Sequence, residues 1–144
     1  MKRFRFRLEQ VLRVRRLQED MARAELMHAH RQARAAADRV NARIADYTAA
    51  PRPYGEQPLP DFNLVQFHLD NAAAAITVAR GSYQHALGVV EDRRADWAAA
   101  RQRVAALERL EARRRDEYAI EARRADDRLV DDLVVARHSR GVRA

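Results

Sequence analysis

One repeat of apolar residues constrains this chain more than any other feature of its sequence. Its members follow one another at alternating steps of three and four residues, and only Arg93 interrupts the pattern. They are Phe62, Val65, Leu69, Ala72, Ile76, Ala79, Tyr83, Ala86, Val90, Trp97, Ala100, Val104 and Leu107. This spacing places the side chains in one stripe along a helix, which is typical of a coiled-coil seam. A helix with such a seam needs a partner helix.

The N-terminal half carries a second seam of the same kind. Its clean part consists of Ala22, Leu26, Ala29, Ala33, Ala36 and Val40, and Ile44 and Tyr47 close it after a shift of one residue. Counting backward places Glu19 and Arg15 in the seam before Leu12 and Leu8. Polar seam residues either fix the register and the choice of partner, or extend their charged ends into water. Both interpretations remain open at this point.

The prolines divide the chain. All four lie between residues 49 and 61, where they remove backbone donors and disfavour helical geometry in the residues before them. We therefore expect helix 1 at about residues 5–48, a loop at 49–61 and helix 2 at about 62–138, with Asp61 as the N-cap of helix 2. The predicted fold is all-α: one domain, 1–144, folded as an antiparallel two-helix coiled coil, or long helical hairpin.

Volume matching suggests a pairing register for the two helices. The bulkiest seam residue, Trp97, would face the smallest seam segment, which contains Ala29, Ala33 and Ala36. This register would bring Tyr47 near Tyr83 and Leu12 near Tyr118.

The same register makes a prediction for each end of the hairpin. Residues 62–80 would project beyond helix 1, and the loop would run back along them. At the other end the basic residues of the two termini would meet; these are Lys2, Arg3, Arg5, Arg7, Arg137, Arg140 and Arg143. Apolar residues from Phe62 to Leu69 cover more of the projecting helix than the loop alone could cover, so this tip is predicted to bind a partner.

Composition excludes several classes of protein. The absence of cysteine excludes disulfides and thiolate-bound zinc, and no apolar run is long enough to cross a membrane, so we expect a cytoplasmic protein. The net charge of +7 is compatible with nucleic acid, an anionic membrane surface or an acidic protein groove.

The sequence offers little material for chemistry. A two-helix fold has no enclosed site, and the chain contains two serines and two threonines. His28 and His30 point to different sides of a helix, and His68 and His85 stand alone. We therefore predict no catalytic residue, no bound metal and no cofactor. Gly81 and Gly88, seven residues apart, indicate either tolerated flexibility or a strip where another chain approaches closely.

Three motifs together resemble the flagellar export protein FliJ family. The first is the opening Phe4-Arg5-Phe6-Arg7-Leu8-Glu9-Gln10-Val11-Leu12-Arg13. The second is Trp97-x3-Arg101-Gln102-Arg103-Val104-x2-Leu107-x2-Leu110-x2-Arg113, and the third is Asp131-Asp132 with Ala136-Arg137. Their order and spacing cover nearly the whole chain.

The resemblance implies a coiled coil similar to the central stalk of rotary ATP synthases, and a cytoplasmic component of the flagellar type III export apparatus. It implies binding to the hexameric export ATPase through the end that holds both termini, which promotes assembly of the ATPase ring. The residues predicted for this end are Arg3, Arg5, Arg7, Leu8, Leu12, Arg13, Leu133 and Arg137.

The resemblance also implies that the opposite end binds the export gate protein FlhA, and that the protein escorts empty flagellar substrate chaperones. The segments that match the gate-binding surface of the family contain Ile44, Asp46, Tyr47, Gln66 and Phe67. Association with the membrane would then occur only through partners, with no nucleic acid involved. The alternative functions are a basic coiled coil that binds nucleic acid and an adaptor anchored to a membrane surface by Phe4 and Phe6.

Overall fold

The chain folds into two long helices. The computed structural model describes the backbone of residues 4–52 and 59–141, and the side chains of residues 4–52 and 61–135. Helix α1 spans Glu9–Ala49, with 41 residues, and helix α2 spans Leu59–Gly141, with 83 residues. The fold is all-α, an antiparallel two-helix coiled coil, as the two seams predicted.

The helix boundaries differ from the predicted ones at two places. Helix α1 begins at Glu9 rather than near residue 5, after a turn in which the Glu9 amide donates to the Phe6 carbonyl. Helix α2 begins at Leu59, so Asp61 lies within its first turn and is not the N-cap. This start accommodates Pro60, because N–H groups in the first turn of a helix have no acceptor within the helix, so the N–H that proline lacks is not needed. The carboxylate of Asp61 still complements the positive end of the helix dipole.

Contacts divide the chain into two units, which we describe separately. The first unit consists of Met1–Leu17 with Arg101–Ala144, and the second consists of Gln18–Ala100. Each unit therefore contains a part of α1 packed against a part of α2. The sequence-based expectation of a single domain stays a prediction.

The core of the second unit is built from the predicted seams. Leu26, Ala29, Ala33 and Val90 are buried together, and the partly buried Ala86, Leu87, Val89 and Trp97 pack against them. Arg93, which interrupts the repeat, remains exposed and forms ion pairs with Glu25 of α1 at 3.1 Å and with Asp96 at 3.2 Å. Exposed pairs of this kind contribute at most about 1 kcal/mol, so burial of the apolar seam dominates the stability of this unit.

The predicted register is wrong. Arg93 pairs with Glu25, and Ala36 and Arg39 line a groove together with Gly81 and Ser82. The small alanines of α1 therefore face the residues around Ala86 and Val90, while Trp97 lies at the edge of this cluster. Tyr83 therefore lies opposite a part of α1 that comes well before Tyr47 in the sequence, and not opposite Tyr47 as expected.

The first unit shows the same displacement. The Phe4 ring packs on Tyr118 at 5.6 Å between centroids, so the residue against Tyr118 precedes α1 and lies eight residues before Leu12 in the sequence. The Arg16 guanidinium pairs with Glu108 at 2.8 Å, which confirms the antiparallel direction within this unit.

The projecting tip is shorter than predicted. Leu69 is buried, and Ala72, Ile76 and Ala79 are half-buried, so helix α1 covers most of the segment that was expected to project. The exposed large apolar side chains on this part of α2 are Phe62, Leu64 and Phe67 near its start, and Val78 further along. The predicted path of the loop falls on residues 53–58, which lie outside the described residues.

Candidate functional site

A short N-terminal arm, residues 4–8, packs across helix α2 in the first unit. Its alternating sequence directs the rings of Phe4 and Phe6 toward the helix, where both are half-buried, and leaves Arg5 and Arg7 exposed. The Phe4 ring lies against Tyr118, and the Arg115 guanidinium lies 5.9 Å from its centroid. These aromatic contacts hold the two arginines at the surface.

The arm is bordered by two clefts. One cleft is lined by Arg5, Arg7 and Leu8 of the arm with Leu110 and Tyr118 of α2, among others. The other lies on the side of Leu12 and Arg13. Leu12 itself is buried against α2, so it supports this end by packing rather than by offering an exposed contact.

The charges at this end are only partly neutralised. Arg16 pairs with Glu108 at 2.8 Å, and Arg115 pairs with Glu111 at 3.0 Å. Among the described residues, no carboxylate lies within ion-pair distance of Arg5, Arg7 or Arg13. These three guanidinium groups form an exposed basic surface, which we call the basic end. An acidic partner would gain charge-assisted hydrogen bonds there.

The expected meeting of the two termini is wrong for Arg5 and Arg7. These residues line a cleft with Arg114, Glu117 and Glu121, not with residues near Arg137. Helix α2 continues from Glu121 to Arg137 over roughly 24 Å at 1.5 Å per residue, so it extends well past the arm. Lys2, Arg3 and Arg143 lie outside the described residues, as do the side chains of Arg137 and Arg140.

The part of α2 beyond the arm carries an exposed apolar face. Its members are Leu129, Val130, Leu133, Val134 and Val135, each more than half exposed. This face therefore does not pack against α1 in this unit. The structure does not bring Leu133 into the clefts beside the arm.

The predicted gate-binding residues lie at the loop end of the second unit. On α1, Ile44 and Asp46 are exposed and the Tyr47 ring is half-buried. Arg52, which follows α1, stacks 4.5 Å from the centroid of this ring and donates a hydrogen bond to the Tyr47 carbonyl. On α2, Gln66 donates to Asp70 at 3.0 Å, and Phe67 is exposed beside His68. No hydrogen bond or ion pair joins these two segments within the described part of the chain.

The polar seam residues Arg15 and Glu19 are half-buried and Leu12 is buried, as the backward count along helix 1 predicted, whereas Leu8 is exposed. A Cβ atom added at Gly81 or Gly88 would meet no atom within 4 Å, so neither glycine is required by a close contact within the described chain. Sequence reasoning missed that His28 and His85 line one groove. The described residues nevertheless contain no cluster of three or more histidine and carboxylate side chains suited to a metal ion.

Two further findings concern membrane spans and family membership. Neither helix contains, within the described residues, a segment long and apolar enough to span a membrane. The family model of the flagellar FliJ protein matches residues 4–143.

The chain belongs to the FliJ family. FliJ proteins are non-catalytic components of the flagellar protein-export apparatus, which assigns this chain to that apparatus. No curated protein and no solved structure matches the chain. The FliJ match covers the arm, both helices and the loop between them, so both candidate ends of the hairpin belong to the region shared with the family.

Proposed function

We propose that this chain is a non-enzymatic subunit of the flagellar export apparatus that binds the hexameric export ATPase and promotes assembly and activity of the ring. The FliJ match over residues 4–143 carries this proposal. The exposed guanidinium groups of Arg5, Arg7 and Arg13 support it, because an acidic surface inside a ring would be complementary to them. Leu8, partly exposed at the end of the arm, would add an apolar contact.

In this proposal Arg3, Leu133 and Arg137 contribute to the same interaction, with Leu133 acting through the exposed face of α2. This face lies on α2 beyond the arm, whereas the basic end lies on the arm and on α1, so they would contact different parts of the ATPase. Leu12 would act indirectly, because its burial fixes helix α1 against α2 beneath Arg13.

The loop end would bind the gate protein FlhA through Ile44, Asp46, Tyr47, Gln66 and Phe67. Exposure of Phe67 supports this role, since exposed aromatic side chains are frequent anchors of protein interfaces. The chain would also escort empty substrate chaperones. It would work in the cytoplasm at the flagellar base, and its association with the membrane would be peripheral and depend on these partners.

Packing of the arm counts against the membrane-anchor alternative. Phe4 and Phe6 are half-buried against α2, so inserting them into a bilayer would first require breaking the contact with Tyr118. The nucleic-acid alternative would predict binding that weakens steeply with salt, and the many arginines that are paired with carboxylates would contribute little to it.

The direct experiment measures ATP hydrolysis by the purified export ATPase of the same organism. Addition of the purified chain at micromolar concentration should raise the rate of phosphate release. The control replaces the phosphate-binding lysine of the ATPase, which should remove the activity with and without the chain. An unchanged rate with the intact ATPase would contradict the proposed function.

A second experiment separates the two ends. Replacing Tyr47 and Phe67 together by alanine should weaken binding to the cytoplasmic part of FlhA by roughly a hundredfold to a thousandfold, because aromatic anchors often contribute about 2 kcal/mol each. Stimulation of the ATPase should remain at the wild-type level. Binding is measured by titration calorimetry, with Val78→Ala as a control at an exposed position of the same unit. Loss of both FlhA binding and ATPase stimulation in the double variant would disprove the assignment of these two functions to separate ends.

A further inference from the structure

Helix α1 carries exposed apolar side chains near its N-terminal end, within the first unit. Val11, Val14 and Leu17 have exposed fractions of 43%, 54% and 60%. Successive helical residues turn by about 100°, so these three side chains lie within an arc of roughly 120°. We call this surface the outer stripe.

The outer stripe is not required by the hairpin. Leu12 and Arg15 turn toward α2, whereas Val14 and Leu17 point to the other side of the helix. The position of Leu17 in the heptad recurs further along α1 as Ala24, Arg31 and Asp38, all exposed and none a large apolar residue. An ordinary solvent-facing helix side would carry polar residues at Val14 and Leu17 as well.

The charges around the outer stripe indicate the character of what covers it. Arg7 precedes the stripe and Arg13 borders it beside Leu17, and neither has a carboxylate within ion-pair distance in the described part of the chain. Arg16 is already paired with Glu108. The nearby acidic residues of α1 are Glu9 before the stripe and Asp20 after it, so the two unpaired arginines give the side of the stripe next to the arm a basic character.

We propose that Val11, Val14 and Leu17 form a docking face for an amphipathic helix of a partner protein, with acidic residues flanking the apolar side of that helix. An amphipathic helix would cover the stripe with side chains spaced by three and four residues. Its carboxylates would pair with Arg7 and Arg13, which supply charge complementarity at the edges.

Charge disfavours a second copy of the chain as the occupant, and the narrow apolar surface disfavours a membrane. A second copy of this chain would bring its own Arg7 and Arg13 against those of the first copy, and this like-charge contact opposes association. A membrane surface would be attracted by the arginines, but an interfacial helix needs a wide apolar side, usually with aromatic residues. Here the nearby rings of Phe4 and Phe6 pack against α2 instead.

The test uses a synthetic helical peptide of about three heptads with leucine at the seam positions and glutamate at the flanking positions. Its labelled form is titrated with the full-length protein, and fluorescence anisotropy reports binding. The wild-type chain should bind this peptide, and a version with lysine in place of glutamate should bind at least about tenfold more weakly. The double variant Val14→Ser with Leu17→Ser should weaken binding of the glutamate peptide by a similar factor.

The matched control is Val78→Ser, which removes an exposed valine from the second unit and should leave peptide binding unchanged. Circular dichroism should give the same thermal midpoint for all three proteins, because the substituted side chains are exposed. Absence of binding, equal binding of both peptides, equal binding by the double variant, or equal weakening by the control would each overturn the proposal.

Three further measurements distinguish the docking face from other roles. If sedimentation shows a dimer that is lost in the double variant, the occupant of the outer stripe is a second copy of the chain and not an acidic helix. If the chain floats with anionic vesicles and the same variant does not, the occupant of the outer stripe is a membrane surface. The double variant should still stimulate the export ATPase; loss of stimulation would make the outer stripe part of the ATPase contact and overturn a separate docking face. These outcomes leave the proposed ATPase function itself intact.

Discussion

Val90→Asp is expected to lower the thermal midpoint of unfolding by roughly 10 to 20 °C. Val90 is 4% exposed and packs in the cluster with Leu26, Ala29 and Ala33. An ionised carboxylate at this position would lose most of its hydration without gaining a partner among these apolar side chains. The cost is on the order of 3 to 5 kcal/mol, a large part of the stability of a domain of this size.

The matched control for this prediction is Val78→Asp. Val78 is 70% exposed on the same helix, so the same chemical change should alter the unfolding free energy by no more than about 0.5 kcal/mol. Thermal melts followed by circular dichroism at the helical band compare the two variants with the wild type. Equal melting of Val90→Asp and the wild type would show that the buried seam does not stabilise the second unit.

The seam itself could be predicted because its spacing depends only on helix geometry. Every member of the α2 repeat from Val65 to Leu107 is buried or half-buried, and the interruption at Arg93 is exposed. Phe62 is the exception, because it lies beyond the part of α2 that α1 covers. Periodicity thus predicts which side of a helix packs, while the ends of the packed region depend on the pairing register.

The register could not be predicted from volume. The segment with Ala29, Ala33 and Ala36 offers nearly the same small surface over several turns, so sliding Trp97 along it changes the packing little. The observed alignment is instead marked by larger groups on either side of this segment. Leu26 and Val90 are buried in one cluster, and Arg93 reaches Glu25. Matching one large residue to one small segment ignored these contacts.

The candidate site shows the same limitation. The sequence identified the exposed arginines of the arm, because alternation of aromatic and basic residues predicts opposite sides. It did not identify what the arm packs on, since the pairing of Phe4 with Tyr118 follows from the register. The wrong register placed Arg5 and Arg7 beside the C-terminal end of α2. The basic surface was therefore expected at the wrong position along α2.

Exchange of Arg5, Arg7 and Arg137 for glutamate should abolish stimulation of the export ATPase. The structure gives Arg5 and Arg7 exposed positions on an arm fixed by Phe4, so the variant reverses two of the three charges of the basic end, and neither of these two substitutions removes a buried side chain. Complementarity with an acidic ring would become repulsion, which costs several kcal/mol for close like charges. Phosphate release at micromolar concentrations of the chain measures the effect. Stimulation by the wild type should itself weaken as salt is raised, because exposed charges are screened.

The control for this variant changes the same number of charges elsewhere. Arg31, Arg34 and Arg39 are exposed on helix α1 in the second unit, and their joint replacement by glutamate gives an identical change in net charge. This control should stimulate the ATPase as the wild type does, because its reversed charges lie outside the basic end. If both triple variants lose stimulation equally, net charge alone governs the interaction, and the position of Arg5 and Arg7 on the arm has no part in it.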